Sequence, residues 1–282
     1  MKIAIMGGGG VGAYLGAVLS KRYDTTLISK TSFRPPAVYD NGIQLFPDRL
    51  KIVNGCEDRF DFLIIALKSN ALKQRMEQIV KCATENTLVL PLLNGVEPYF
   101  ELKKHINPNN LAKGAIYIIS NKQDDKVVKI GKEPLVVMER IDARSDLLAE
   151  IFKNSSIKVK CEKDIDKEIW KKYLFIAATA ALTSYYAKSF GEIAVDHLTE
   201  FEKILEEISA IAETYGVSLT PKDRERAVSL LLKSPYEAKS SLQLDIEKRS
   251  DSELENIVGF LAKRASGDSL LKKIYLKLQS IY

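Results

Sequence analysis

The chain has 282 residues, 46% hydrophobic and 28% charged, enough for one or two cores of an ordinary soluble protein. Its net charge of +5 is small and its Lys and Asp/Glu residues are interspersed, which argues against a nucleic-acid or membrane partner and suits an anionic small ligand. No apolar run approaches the roughly 18–20 residues that span a bilayer. Neither a signal peptide nor a CxxC or Cys/His cluster is recognisable, so Cys56, Cys82 and Cys161 are expected as reduced thiols of a cytoplasmic protein without a metal site.

In chain order, Lys2–Met6 predicts a buried strand, Val11–Arg22 a helix and Thr25–Ser29 a second strand. Gly42–Phe46 and Leu50–Val53 predict short strands. Asp61–Leu67 (DFLIIAL) is a nearly continuous apolar run, the pattern of a central parallel strand. A helix over Ala71–Cys82 and a strand over Thr87–Leu93 follow. Strands at Leu111–Ser120, Lys126–Ile130 and Pro134–Met138, a helix over Ala143–Lys153 and a strand at Ile157–Cys161 complete this half. The alternation predicts a doubly wound sheet. From Ile165 onward the spacing is helical: one long helix over Ile165–Ser189, another over Thr199–Tyr215 stopped by Gly216, a third opened by Pro221, then Leu244–Ala265 and Ser269–Ser280. The expected fold class is α/β, with an N-terminal Rossmann-type doubly wound sheet (1–163) followed by an all-α C-terminal domain (164–282).

Gly7, Gly9 and Gly12 form G-x-G-x-x-G between the first strand and the first helix. The first glycine allows the tight turn, the second a close approach of pyrophosphate to backbone N–H groups, and the third close helix–strand packing. The helix N-terminus then faces the phosphates with its partial positive charge, and Gly7, Gly9, Gly10, Val11 and Gly12 are expected to bind the cofactor. An NAD site usually ends its second strand in Asp or Glu. Here that position reads Ser29-Lys30-Thr31-Ser32 with Arg34 nearby, so Lys30, helped by Ser29 or Ser32, is expected to meet a 2′-phosphate, and the cofactor is expected to be NADP(H). His105 and His197 stand in no acid–base motif, which leaves Lys or Tyr as the acid for a carbonyl reduction.

MKIAIMGGGGVGAYLG, ALKSNA, PLLNGV, KEIWKKYL, the GEI at Gly191–Ile193, the YGVSL at Tyr215–Leu219 and SSLQLDIEKRSDSELENIVGFL together resemble the ketopantoate reductase (2-dehydropantoate 2-reductase) family over nearly the whole chain. The resemblance implies reduction of a small 2-oxo acid, in the family ketopantoate to pantoate for pantothenate biosynthesis, by a monomer or homodimer. It implies Lys172 as proton donor to the carbonyl oxygen and Glu253 as the acid that holds substrate and lysine. It further implies Ser241 on the substrate carboxylate, Asn94 beside both the nicotinamide ribose and the substrate, and Lys68 facing the cofactor. Hydride attack on a ketone builds negative charge on oxygen, which an ammonium can stabilise and then neutralise by proton transfer.

The chain departs from the family where two asparagines usually follow the lysine by one and two helical turns. Ile176 and Ala180 stand there, Ala181 replaces a proline, and Val258 replaces the asparagine before Gly259. Lys172, Ile176 and Ala180 fall on one helix face, so the substrate pocket is expected to be less polar than the family's. The alternative to a reductase is a family member that binds NADP(H) without turnover, as a sensor or binding module.

Overall fold

A computed structural model describes residues 1–30, 36–56, 58–123 and 125–281. The chain forms two units, Met1–Leu93 with Pro98–Ile165, and Asn94–Glu97 with Asp166–Tyr282. The turn Asn94–Glu97 packs with the second although its neighbours on both sides belong to the first.

In chain order the elements up to the helical half are β1 (Lys2–Met6), α1 (Gly10–Leu19), β2 (Asp24–Ile28), β3 (Ala37–Asp40), β4 (Ile43–Leu45) and β5 (Leu50–Val53). Then come β6 (Phe62–Ile65), α2 (Ser69–Gln74), α3 (Met76–Cys82), β7 (Leu88–Pro91), α4 (Glu97–Leu102), β8 (Gly114–Gln123), β9 (Lys126–Glu139), α5 (Ala143–Asn154) and β10 (Lys158–Glu162). A five-stranded parallel sheet runs β5-β2-β1-β6-β7. Successive side chains of a strand point to opposite faces, so apolar runs feed two cores at once. Ile3, Ile5, Phe62 and Ile64 pack with Ala13, Leu15 and Leu19 of α1, while Ala4, Met6, Leu63 and Ile65 pack with Leu72, Met76 and Ile79 of α2 and α3. The strand order departs from β1 in both directions, which places the switch point of the sheet between β1 and β6.

The later strands do not extend this sheet. They form a second one, β10-β9-β3-β4, with β8 antiparallel to β9. The two strands expected at Lys126–Ile130 and Pro134–Met138 are one, β9, continuous through Gly131 at φ +81. The helix expected over Ala71–Cys82 is two, α2 and α3, divided at Arg75 (φ −106, ψ 3). The expectation of three reduced thiols is also corrected. Cys56, just past β5, and Cys82, at the end of α3, are joined as a disulfide with Cα atoms 5.6 Å apart. Both are buried in the core that covers one face of the sheet, a meeting that their separation of 26 positions does not announce.

The second unit holds α6 (Asp166–Tyr186), α7 (Phe190–Asp196), α8 (Leu198–Glu213), α9 (Pro221–Lys233), α10 (Ser241–Glu247), a π-helical turn (Glu255–Gly259), α11 (Phe260–Ala262) and α12 (Leu270–Ile281). The 21-residue α6 is its axis, and α7, α8, α9, α10, α12 and the π-helical turn all pack on it. α6 stops short of the expected Ser189 because Ala187 turns to φ +53 and Ser189 opens α7 instead, in a capping box with Glu192. Pro221 begins α9, whose N-cap Thr220 makes the same reciprocal pairing with Asp223. The single helix expected over Leu244–Ala265 is broken. α10 ends before Arg249 (φ +50), and the Ser250 N–H and hydroxyl turn back to Asp245. Among the described residues no helix is long and apolar enough to cross a membrane.

Candidate functional site

In the first unit the glycine loop lies at the carboxyl end of β1, beside the switch point. Gly7 sits at φ +120 against the Ala66 carbonyl at the end of β6, and a β-carbon on Gly7 or on Gly12 would overlap backbone. The positive φ at Gly7 is the tight turn expected of the first glycine, and the crowding at Gly12 the close packing expected of the third. Gly10 lies against the backbone of Ser120 in β8, and the Ser120 hydroxyl donates to the Gly10 carbonyl at 2.9 Å. Gly9 differs: a β-carbon there would meet no atom within 4 Å. Gly9 is the N-cap of α1, no side chain caps that helix among the described residues, and its first turn, which includes Val11, has no acidic residue. Helix-end N–H groups beneath an open glycine and a positive dipole end form a cradle that suits a pyrophosphate.

Two lysines follow strands of the same sheet. Lys68 is the exposed N-cap of α2, two residues beyond Ala66. Lys30 is exposed two residues beyond β2. Ser29, expected beside it at a phosphate, is buried with its hydroxyl against Gly8. Ser32 and Arg34 lie outside the described residues.

In the second unit Lys172 is half-buried on α6 and its Nζ donates to Asn94 Oδ1 at 3.1 Å. Burial pulls its ammonium pKa down to about 8, against the opposing attraction of the Glu253 carboxylate. The adjacent Lys171 is different. Burial would lower its pKa, but ion pairs with Glu168 (3.0 Å) and Asp223 (3.4 Å) hold it above the ordinary value. An amine held near 8 remains mostly charged at neutral pH yet gives up its proton readily, and Lys172 alone of this pair has that character.

Ile176 and Ala180 follow Lys172 along α6, the first half-buried and the second 2% exposed. α10 is pinned to α6 further along by the Thr183 and Ser240 hydroxyls, 2.7 Å apart. Ser240 also caps α10 by accepting from the Gln243 N–H, so its hydroxyl is engaged, whereas the side chain of Ser241 is exposed. The structure therefore brings Lys172, Asn94 and Glu253 into one cluster and sets Ser241 at the start of a helix packed on the same axis.

Three residues of this cluster escaped the sequence reading. Tyr173 is 1% exposed and its hydroxyl lies 2.8 Å from the Ile257 carbonyl and 3.1 Å from that of Asn256. Asn256 Nδ2 donates to Glu97 Oε2 at 2.7 Å. No local spacing marks partners 159 positions apart. His197 stacks on Tyr186 with ring centres 3.7 Å apart and bonds Glu200, a packing arrangement, while His105 is exposed just beyond α4. Among the described residues no group of three or more His, Cys, Asp or Glu side chains is placed to hold a metal ion.

Comparison with known proteins gives a consistent set of likenesses. Residues 3–142 match the family model described as ketopantoate reductase PanE/ApbA, and residues 164–269 match its C-terminal model. The uncharacterized oxidoreductase YkpB of Bacillus subtilis is 27% identical, over 99% of this chain and 98% of its own length. A dimeric ketopantoate reductase from Staphylococcus aureus superimposes with a TM-score of 0.89 at 22% identity, covering 99% of this chain and 98% of its own. A D-mandelate dehydrogenase with NADH and anilino(oxo)acetate reaches the same TM-score at 19% identity, covering 100% of this chain and 99% of its own.

Proposed function

The chain belongs to the ketopantoate reductase family of oxidoreductases, and from that premise we propose that it is an NADPH-dependent reductase of small 2-oxo acids in which Lys172 is the proton donor. On this reading residues 1–163 hold the cofactor and residues 164–282, together with Asn94, the substrate. The observation that carries it is Lys172 itself: half-buried, hydrogen-bonded to Asn94, its pKa lowered to about 8 by burial with Glu253 pulling the other way. A lysine with only a solvated role has no need of that environment.

When bound, the reduced dinucleotide would supply the hydride. The first-turn N–H groups of α1 would hold its pyrophosphate over Gly9, Lys68 would face it from the end of β6, and Lys30 would pair with a 2′-phosphate. As negative charge gathers on the substrate carbonyl oxygen, the Lys172 ammonium stabilises it and then gives up its proton to that oxygen. Glu253 keeps Lys172 charged before the transfer. Asn94 Oδ1 orients the ammonium, leaving the side-chain N–H₂ group of Asn94 for the ribose or substrate. Ser241 donates to the substrate carboxylate.

The tail of the substrate would lie against Ile176 and Ala180, whose side chains offer no hydrogen bonds. We therefore expect a preference for 2-oxo acids with an apolar tail over ketopantoate, which carries a hydroxyl. A D-mandelate dehydrogenase of this fold holds anilino(oxo)acetate, so the fold admits a bulky aromatic tail. That enzyme's structure contains NADH, so the fold alone does not choose the cofactor. Lys30 is the residue that favours NADPH here. The test is NADPH oxidation by the purified protein across a panel of 2-oxo acids that includes ketopantoate. No turnover on any member would overturn the reading.

A further inference from the structure

The turn that carries Asn94 is fastened to the helical unit by contacts outside the proposed chemistry. Glu97 Oε2 accepts a 2.7 Å hydrogen bond from Asn256 Nδ2, a charge-assisted bond to a carboxylate. Gly95, between Asn94 and Glu97, turns at φ +83, and a β-carbon there would come within 3.6 Å of the Tyr173 ring and 3.8 Å of the Asn256 backbone carbonyl oxygen. Tyr173 shares its hydroxyl proton between the carbonyls of Asn256 and Ile257, both in the π-helical turn Glu255–Gly259. Hydrogen bonds running i to i+5 widen a helix and free carbonyls from the usual ladder, and such turns concentrate at functional sites.

The two partners of the Lys172–Asn94 hydrogen bond are thus held from behind by one cluster. Tyr173, next to Lys172 on α6, fastens α6 to the π-helical turn. Asn256, in that same turn, fastens Glu97 and with it the chain three residues past Asn94. We propose that Glu97 and Asn256 form a positioning latch: by pinning the turn Asn94–Glu97 to the π-helical turn, they hold the Asn94 side-chain oxygen Oδ1 against Lys172 and so fix where the proton donor sits. Both act through Asn94, so they are positioning residues. The proposal rests on the reading of Lys172 as proton donor.

The pair lends itself to a donor–acceptor inversion. Asn256→Asp sets two carboxylates against each other and breaks the latch. Glu97→Gln combined with Asn256→Asp rebuilds it with the donor on the other side. The expected result for N256D is a kcat lower by about tenfold or more on the best 2-oxo acid, as for a displaced catalytic group. The alkaline limb of its pH profile should move, while the KM for NADPH stays near that of the unaltered protein. The double variant should recover most of the loss. Amide exchange of the segment spanning 94–97 should quicken in N256D and return in the double variant, with α8 unchanged in both. Native kcat and native exchange in N256D would overturn the latch. So would a loss of kcat that merely follows a fallen Tm and is not recovered by the double variant. If the unaltered protein reduces no 2-oxo acid, the reductase reading fails, and the exchange measurement alone then decides whether the latch holds the turn.

Discussion

At the scale of single residues, the balance around Lys172 sets the expected chemistry. Burial favours the neutral amine and Glu253 favours the ammonium, with the result near 8. The lysine must be protonated to act as an acid, so kcat should hold below about pH 8 and fall above it, a limb that a pH–rate profile reads directly. Lys172→Ala should lower kcat by about 10²-fold or more, the scale of a lost general acid, with NADPH binding little changed. Near-native turnover would mean that another group gives the proton. Glu253→Ala removes the attraction that raises the Lys172 pKa, so the alkaline limb should move to lower pH and both kcat and KM should worsen. In the first unit Lys30→Asp should weaken NADPH and shift preference toward NADH, measured as Kd for each. Equal affinity of the native protein for both cofactors would sink the role of Lys30. The place of Lys30 just past β2 was legible because it follows locally from that strand. The burial of Ser29 against Gly8 was not legible, because only the folded backbone shows it.

Among the elements, α6 carries the sharpest specificity prediction. Its i, i+4, i+8 face presents Lys172, Ile176 and Ala180 in sequence. A substrate hydroxyl buried there without a partner costs roughly 1–3 kcal/mol, or about 5- to 150-fold in kcat/KM by the ordinary conversion at room temperature. Competition between ketopantoate and its analogue lacking the hydroxyl should favour the analogue. Ile176→Asn with Ala180→Asn should move the preference back, and no movement would place those residues outside the pocket. A second prediction concerns the tie between the end of β5 and the end of α3. Titration of the unfolded protein without reductant should find one thiol, Cys161, and reduction should release Cys56 and Cys82 as well. Three thiols at the outset would count against the bridge. Strand and helix periodicities were legible for most elements, but not the breaks at Arg75 and Ala187 or beyond Glu247, where single backbone angles end helices whose apolar spacing continues.

For the molecule as a whole, a dinucleotide that binds only the folded state should add stability by mass action. NADPH at 100 times its Kd should contribute about 2.7 kcal/mol, seen as a rise in Tm, and NADH at the same concentration should contribute less. An equal rise with both would contradict the cofactor assignment at this scale too. By itself the sequence determined the class of fold, the glycine loop, the all-helical second half and the residue types at the positions proposed to react. Each of these is written in patterns a few residues long: alternating or 3.6-residue hydrophobic periods, turn glycines and motif spacing. The tertiary structure alone decided that the later strands form a second sheet, that Cys56 meets Cys82, that the Asn94 turn packs with the helical unit, and that Glu97 and Asn256 face each other. The disulfide joins residues 26 positions apart, and the Glu97–Asn256 bond residues 159 apart. Their geometry depends on how whole elements pack, and a local hydrophobic pattern specifies only which face of an element is buried, not what it is buried against.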